Sequence, residues 1–273
     1  EIYINGLLSG PKTILKNAIG VPAFALYELP RDIVAAGISG LERSIRRAVG
    51  KDSTEYGASL GEINSRLFGM SMAFKNALLL GKKGWDTEKG IGPTRIDGDA
   101  HKNISSSLDN PIGEMINNAG KFIRLPGRTL LATDEFGKAI AENGELYAQA
   151  FTAYKNAKFI GKSEEDAQAD AFLVLLDPKS RRTETEKAAN HITLTSDVGA
   201  IGKATTYLQQ SLAGRLLIPF ARVPTNAIFR TLENNAVTGL LSPTMRKAII
   251  EGGPRDRAKA LGSMAYGSLV MYT

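Results

Sequence analysis

The sequence predicts an all-α fold, in which long amphipathic helices and irregular connectors form an extended multi-helix assembly. Apolar residues recur at steps of three and four along most of the chain, which is the spacing of one helix face. Proline and glycine fall where these patterns stop, and no segment shows the period of two that a half-buried strand requires. From this spacing we expect about eight to ten helices.

The N-terminal region contains the first helical patterns. We expect short helices over 11–20 and 24–27, separated because Pro22 interrupts the first, and a longer helix over 33–49. One face of the longer helix carries residues spaced four apart: Ile33, Gly37, Leu41, Ile45 and Val49. Because glycine weakens an isolated helix, the glycines indicate that this helix is packed closely against another. A further helix is expected over 60–80, with an apolar stripe that contains Ile63, Leu67, Met70, Phe74, Ala77 and Leu78.

The segment 125–158 predicts the helix around which the rest of the chain is organised. Thr133 or Asp134 can cap its first turn, after a break at Pro126 and Gly127. Counted from Asp134, this helix would be about 37 Å long. Its apolar stripe contains Phe136, Ile140, Tyr147, Phe151 and Tyr154. Four polar residues fall largely off the stripe, where they would face solvent or a partner: Glu142, Glu145, Gln149 and Lys155.

A stretch rich in Gly, Asp, Ser and Pro, over 84–111, lacks any sustained apolar period. It is therefore predicted as a linker or arm, with Trp85 holding one end. The expected organisation is an N-terminal helical region over 1–83, the linker over 84–111 and a main helical region over 112–273. Because the apolar run at the end has no helix-ending signal, we expect the main region to continue beyond residue 273 in a longer chain.

The main region contains further helix signals after the central helix. Ser163, with Asp166 three residues later, is close to a capping box and opens a helix. The polar run 178–190 is predicted as a second connector, and 200–217 as another helix.

Prolines organise the last part of the chain. Pro219 and Pro224 predict a kinked connection, which a helix through Ile228 then follows. Ser242 and Pro243 are the cap and first residue of a short helix. The last helix is expected to start at Pro254.

Composition excludes several kinds of chemistry. The chain has no cysteine, which excludes disulfides, thiolate metal sites and cysteine nucleophiles. Its two histidines, His101 and His191, lie in polar segments without metal-ligand spacing, so we expect surface positions, no metal and no cofactor. The formal charge of +6 would tolerate a polyanion nearby, but it is lower than that of most dedicated duplex binders.

Two patterns resemble nucleotide or catalytic sites but fit them poorly. The run from Gly161 to Ser163 matches the tail of a phosphate-binding loop, yet Asn156 stands where the first glycine belongs. Glu142 and Glu145 could form an acid and base pair, but charges on the outer face of a helix are usually solvated. We therefore expect no catalytic residue.

Basic clusters could contact phosphate groups. Two lie at Arg43, Arg46 and Arg47 and at Arg181 and Arg182. The third, Arg255, Arg257 and Lys259, precedes the apolar run at the end of the chain, as juxtamembrane cations do, and is a candidate phosphate or lipid contact. The alternative for every cluster is solubilising charge or an ion pair to a neighbour.

Four segments, in order, carry a family resemblance: INGLLSGPKT, RLPGRTLLATDEFGKAI, PFARVPTN and LSPTMRKAIIEGGPRDRAKALGSM. Together they resemble the internal virion proteins, or ejection proteins, of tailed bacteriophages, which also occur as regions of large multidomain phage polypeptides. The resemblance is strongest over 1–20, 123–158 and 214–268. Its motif residues, interpreted as structural, are Pro126, Gly127, Arg128, Asp134, Glu135, Phe136, Lys138, Pro219, Phe220, Arg222, Pro224 and Asn226. Gly137 stands where the family often has a second aromatic residue.

The resemblance implies a non-enzymatic protein that is packaged in the capsid interior of the virion and then ejected into the host cell envelope. There it would help to form a conduit for DNA. The implied partners are further copies of the chain in a homo-oligomer, other virion proteins, phage DNA and the host inner membrane. Two alternatives stay open, namely a static tail or portal-associated structural protein and an accessory region of a virion-borne enzyme.

Overall fold

Nine α-helices form the described part of the chain. The computed structural model describes residues 11–51, 55–90, 110–177, 182–196, 207 and 222–272. No strand occurs in these ranges, so the all-α prediction is confirmed. The helices are α1 (Pro11–Ala48), α2 (Leu60–Thr87), α3 (Pro111–Ile123), α4 (Leu125–Phe159), α5 (Glu164–Leu176), α6 (Arg182–Ile192), α7 (Arg222–Glu233), α8 (Pro243–Ile250) and α9 (Pro254–Tyr272). A 3-10 turn, Gly239–Leu241, precedes α8.

Helix α1 is longer than the sequence predicted. Pro22 and Pro30 both lie inside it, whereas we expected Pro22 to separate two helices. A proline inside a helix removes one backbone hydrogen bond. The backbone hydrogen bonds of the other residues continue the helix past both prolines. The prediction that Pro22 separates two helices was therefore wrong.

Helix α4 also begins earlier than expected. Its first residue is Leu125, and Pro126 therefore lies in the first turn, where the missing N–H of proline costs little. Thr133 lies inside the helix and is not its cap, since its hydroxyl donates to the carbonyl oxygens of Thr129 (3.0 Å) and Leu130 (2.9 Å). The predicted cap at Thr133 or Asp134 was therefore wrong.

Two other predicted helix starts are confirmed. The Ser163 hydroxyl accepts the backbone N–H of Asp166 at 3.0 Å, which caps α5. Ser242 caps α8 by accepting the N–H of Met245 at 3.5 Å, and Pro243 occupies the first turn.

Helix α3 follows the predicted linker and was not expected. Asn110 Oδ1 accepts the N–H of Gly113 at 2.8 Å, and Pro111 is the first helical residue. The first residues of that linker also belong to a helix, because α2 continues to Thr87. Trp85 therefore lies in the last turn of α2. The linker and the domain boundaries around it stay a prediction, since residues 91–109 lie outside the described ranges.

The second predicted connector is largely helical as well. Helix α6 covers Arg182–Ile192, and over residues 183–192 it buries only the narrow face formed by Thr185, Ala189 and Ile192. So few buried positions leave little periodic signal in a polar segment. Helix α7 begins at Arg222, and Pro224 therefore lies in its first turn and does not form a kinked connection. Pro219 and, apart from Tyr207, the predicted helix over 200–217 lie outside the described residues.

Residue contacts divide the chain into two compact units. The first takes the described residues of Glu1–Ala23, Lys75–Ala139 and Ala189–Asn226. The second takes those of Phe24–Phe74, Ile140–Ala188 and Ala227–Thr273. Helices α1, α2, α4, α6 and α7 therefore each contribute residues to both units.

In the first unit, α2 approaches α4 through glycine. A Cβ on Gly81 would lie 3.0 Å from the carbonyl oxygen of Ala132, and one on Gly84 would lie 3.3 Å from that of Leu131. A Cβ at such distances requires its neighbours to shift by a few tenths of an ångström, so glycine fits best. Larger residues at these positions would push the two helices apart.

In the second unit, small residues again lie between the helices. A Cβ on Gly69 of α2 would lie 2.7 Å from the carbonyl oxygen of Asn143 in α4. A Cβ on Gly262 of α9 would lie 2.8 Å from the backbone nitrogen of Ala35 in α1. Ala35 also belongs to a small core with Ala58 and Ala258. The helices of this unit therefore pack at close range around alanine and glycine.

Large apolar side chains of the second unit lie mainly on the outside of its helices. On α1, Ile33, Leu41 and Ile45 of the predicted stripe are between 53% and 63% exposed, and Val49, directly after the helix, is 62% exposed. A Cβ on Gly37, in the middle of this stripe, would meet no atom within 4 Å. Among the residues of α1 from 27 onward, the buried ones are Glu28, Asp32, Ala35, Ala36 and Ser39. The stripe was thus identified correctly, but its glycine does not mark a helix contact.

Helices α2 and α4 show the same inversion. On α2 the predicted stripe is divided, since Leu67, Phe74 and Leu78 are exposed, whereas Ile63 and Ala77 are buried. The charged Glu62 and Arg66 are buried beside them. On α4 the aromatic stripe is half-buried, whereas Glu145 and Gln149, which we expected on the outer face, are buried. Within the described ranges, no helix has the length and hydropathy needed to cross a membrane.

Candidate functional site

The second unit contains a buried network of charged side chains, which four helices supply. Helix α1 contributes Glu28, Arg31 and Asp32, which lie within about one helical turn of each other on its buried face. Helix α2 contributes Glu62 and Arg66 at positions i and i+4, which face the same side. Helix α4 contributes Glu145, and α9 contributes Arg255 and Lys259. The helical period therefore brings each group of charges to one interior region.

Arg66 links three of these helices. Its guanidinium lies 2.8 Å from Glu145 in α4, 3.5 Å from Asp32 in α1 and 3.6 Å from Glu62 in its own helix. Burial alone would lower the pKa of Arg66, but Glu145 and the other carboxylates outweigh it and raise the pKa above its ordinary value. Arg66 is therefore a permanently charged centre of the network.

The cations of α9 complete the pairing of the two glutamates. Arg255 lies 2.7 Å from Glu62 and 3.0 Å from Glu145, and Lys259 Nζ lies 2.6 Å from Glu62. Burial alone would raise the pKa of Glu62, but Lys259 and Arg255 lower it to about 2. For Glu145, burial is likewise outweighed by Arg66 and Lys259, and its pKa lies well below the usual range. Both carboxylates are therefore ionised at neutral pH.

The α1 residues of the network also pair with one another, and a separate ion pair lies in the same unit. Arg31 Nη1 donates to Glu28 at 2.7 Å and its other terminal nitrogen lies 3.1 Å from Asp32. Arg257 of α9 lies 2.7 Å from Glu42 of α1 and also donates to the Ile249 carbonyl oxygen at 3.0 Å. These contacts tie α9 to α1 by charge as well as by the close glycine contact.

All three residues predicted as a phosphate or lipid contact thus have carboxylate partners inside the unit. Arg255, Arg257 and Lys259 follow the alternative that the sequence left open, an ion pair to a neighbour. Their contact with phosphate or lipid stays a prediction.

The first basic cluster is also engaged within the protein. Arg43 donates to the Tyr56 carbonyl oxygen and lies 4.2 Å from the centroid of the Tyr56 ring. Arg46 pairs with Glu42 at 2.9 Å, whereas Arg47 is exposed. In the second cluster, Arg181 lies outside the described residues.

The motif residues of the family resemblance lie within the ranges of the first unit, whereas the network belongs to the second unit. Arg128 Nε donates to the Trp85 carbonyl oxygen at 2.8 Å, and its guanidinium lies 5.0 Å from the Trp85 ring centroid. Glu135 and Lys138 form a buried pair at 3.1 Å. Helix α4 also contains the motif residues Pro126, Gly127, Asp134 and Phe136. The Arg128 contact joins α4 to α2, whereas the Glu135–Lys138 pair lies within α4. The structural role of the motif residues stays a prediction.

The second group of motif residues is only partly described. Asn226 is buried and donates to the Ser196 carbonyl oxygen at 3.0 Å. Pro224 is exposed, and Arg222 is the first residue of α7. Pro219 and Phe220 lie outside the described residues.

Chemically, the network can hold helices together, but its carboxylates Glu62 and Glu145 are poorly suited to proton transfer. A general acid or base needs a pKa near the operating pH, whereas Glu62 and Glu145 stay ionised far below it. The expectation that Glu145 is a solvated surface charge was wrong, because Arg66 and Arg255 pair with it in the interior. Among the described residues, no group of three or more His, Cys, Asp and Glu side chains could hold a metal ion.

The centre of this network was not predicted from the sequence. Glu62 and Arg66 have the spacing of an ordinary surface ion pair on a helix. A signal was present, since both share one face of α2 with Gly69, Ala73 and Ala77, small residues that α2 buries.

No family model, no curated protein and no solved structure matches the chain.

Proposed function

We propose that this chain is a non-enzymatic region of an internal virion protein of a tailed bacteriophage. It is packaged in the capsid and ejected to help form a conduit for DNA across the host envelope. Its partners are copies of itself, other virion proteins, phage DNA and the host inner membrane. The resemblance of the four sequence segments supplies this identity and these partners.

The observation that carries the proposal is the inverted distribution of apolar residues in the second unit. Large apolar side chains are exposed on α1, α2 and α5, whereas alanine, glycine and paired charges are buried. Extended apolar surfaces of this kind mark contacts with another molecule. A chain whose exposed apolar side chains become buried only when it assembles would have such faces on several helices.

The buried network supports the non-enzymatic part of the proposal. Its carboxylates accept contacts from Arg66, Arg255 and Lys259 and are held in the charged state. Such an arrangement orders helices. Neither Glu62 nor Glu145 changes its protonation state near neutral pH, as a general acid or base would have to do.

Quantitative mass spectrometry of purified phage particles tests the proposal. The chain should be present in full particles and strongly depleted from particles that have released their genome after a trigger. A capsid shell protein, measured in the same samples, serves as the internal standard. Equal amounts in full and emptied particles would make the chain a static structural component and would overturn the ejection proposal.

A further inference from the structure

We propose that a cluster of cations around the Tyr56 ring binds the phosphate backbone of DNA without regard to base sequence. This group, the Tyr56 cluster, consists of Arg43 and Arg47 near the end of α1 and Lys155 of α4. The inference rests on the proposed function, which includes DNA as a partner, and it assigns the surface that makes the contact. All of these residues belong to the second unit.

Tyr56 brings cations from two helices together. Its backbone N–H donates to Asn156 Oδ1 of α4 at 2.8 Å, which holds the tyrosine beside that helix. The Arg43 guanidinium lies 4.2 Å from the centroid of the Tyr56 ring, and Lys155 Nζ lies 5.4 Å from the same centroid. The two cationic groups are therefore within about 10 Å of each other, which is about the Debye length at 0.1 M salt, so both act on one ligand.

Arg47 adds a third cation to this side of the molecule. It follows Arg43 by four positions on α1, and residues with this spacing lie on the same side of a helix, about 6 Å apart. Its side chain is exposed. Within the described ranges, no carboxylate lies at ion-pair distance from Arg43, Arg47 or Lys155. The cluster therefore differs from the buried network, whose arginines have carboxylate partners.

The nearest described carboxylates point elsewhere. Glu42 Oε1 lies 2.9 Å from Arg46 and 2.7 Å from Arg257. Glu55 is exposed, and its Oε2 lies 2.6 Å from the Cβ position of Gly253, in the connection between α8 and α9. Neither carboxylate offsets the charge of the cluster. Cations held together in this way repel one another, and a bound polyanion removes that repulsion.

The direction of the cluster favours DNA over a lipid surface. At the period of an α-helix, Arg43 lies about 160° around α1 from the exposed Leu41 and Ile45, and Arg47 lies about 120° and 160° from them. A bilayer that buried the apolar side chains would therefore not reach the cations. Duplex DNA needs no apolar contact, and its charges, one per about 1.7 Å of axis, can meet several cations together.

Fluorescence anisotropy with a dye-labelled DNA duplex tests the contact. At low salt, the double variant Arg47→Gln, Lys155→Gln should bind roughly tenfold more weakly than the wild-type chain. The slope of log K against log salt should become shallower by about 1.8, because each phosphate contact contributes about 0.9. A duplex of scrambled sequence should bind equally well, since contacts to phosphate carry no base information.

A matched control separates the cluster from the overall charge. Lys75→Gln, Lys83→Gln removes the same charge from two exposed positions of the first unit and should change the affinity less than twofold. Equal losses in the two double variants would show that binding follows net charge, and the proposal would be overturned.

Two single variants separate charge from folding. Arg47→Gln changes only an exposed side chain and should make the salt slope shallower by about 0.9. Lys155→Arg keeps the charge beside the rings and should bind like the wild-type chain. A loss in Lys155→Arg as large as in Lys155→Gln would contradict a phosphate contact. Circular dichroism checks the folding of each variant.

An anionic lipid surface is the competing partner. If the wild-type chain binds vesicles of phosphatidylcholine and phosphatidylserine but no duplex, the proposal fails. The particle measurement does not depend on this result. An ejected chain that binds no DNA would overturn only the contact, and a DNA-binding chain that stays in emptied particles would overturn only the ejection.

Discussion

Arg66 has a structural role that no single surface ion pair could fill. It contacts carboxylates from α1, α2 and α4, and it is only 4% exposed. Removing a buried cation leaves its partners charged in a poorly solvated place, which costs far more than the pair itself contributes. The side chain therefore specifies where three helices meet.

We expect Arg66→Met to lower the free energy of unfolding by about 3–5 kcal/mol. The physical reason is that the buried Glu145 loses its closest cation, which lies 2.8 Å away, and Asp32 loses one of its two arginine partners. Chemical denaturation, followed by circular dichroism, measures the change. Lys82→Met is the control, because Lys82 and Asp86 form an exposed pair whose loss should cost at most about 0.5 kcal/mol. Equal losses in the two variants would show that the network does not stabilise the fold.

At the scale of helices, glycine has two different roles on neighbouring elements. Gly69 of α2 lies against the backbone of α4, and its Cβ position is 2.7 Å from the Asn143 carbonyl oxygen. Gly37 of α1 lies on an exposed face with empty space around it. The same substitution at the two sites should therefore have opposite effects.

Gly69→Ala should destabilise the chain by about 1–3 kcal/mol, because α2 and α4 must separate to admit the methyl group. Gly37→Ala should stabilise it by up to about 1 kcal/mol, since alanine favours the helix and meets no atom. Thermal and denaturant unfolding of both variants measures the difference. A stabilising Gly69→Ala would mean that the close crossing of α2 and α4 is wrong.

Local features of the helices could be predicted from the sequence. The caps at Ser163 and Ser242 depend on residues three positions apart, and both are present. The continuation of α1 through Pro22 could not be predicted, because it depends on hydrogen bonds along a helix of 38 residues. Helix α6 was missed because a face of three buried residues gives almost no periodic pattern.

The buried side of each helix was the main thing that periodicity could not supply. A repeat of three and four identifies a face, but the partners of that face decide whether it lies inside. On α1 the face with large apolar residues is outside. The network was missed for a related reason, since Glu62 and its partner Arg255 are separated by 193 residues in the chain.

At the scale of the whole molecule, the network predicts how stability depends on pH. The pKa of Glu62 is lowered from 4.5 in its ordinary state to about 2, so its charge stabilises the fold above pH 4.5. This contribution, roughly 3 kcal/mol, is lost as the pH falls from about 4.5 towards 2. Glu145 shifts in the same direction and adds to the loss.

Denaturant unfolding between pH 7 and pH 2 measures this dependence. The free energy of unfolding should fall steeply below about pH 4.5. Glu62→Gln should give a lower value at neutral pH and a shallower acid slope, because its carboxyl no longer titrates. Glu165→Gln, an exposed carboxyl outside the network, should keep the wild-type slope. A Glu62→Gln variant with the full acid slope would contradict the assignment.

Trp85 is the single tryptophan of the chain, and it stands in the first unit beside Arg128. Its emission under selective excitation therefore reports the surroundings of one unit, whereas far-ultraviolet dichroism sums the helices of both. Tryptophan fluorescence therefore does not report on the second unit, which contains the charge network. Unfolding curves from the two signals would coincide if the units lose structure together and would separate if each has its own transition.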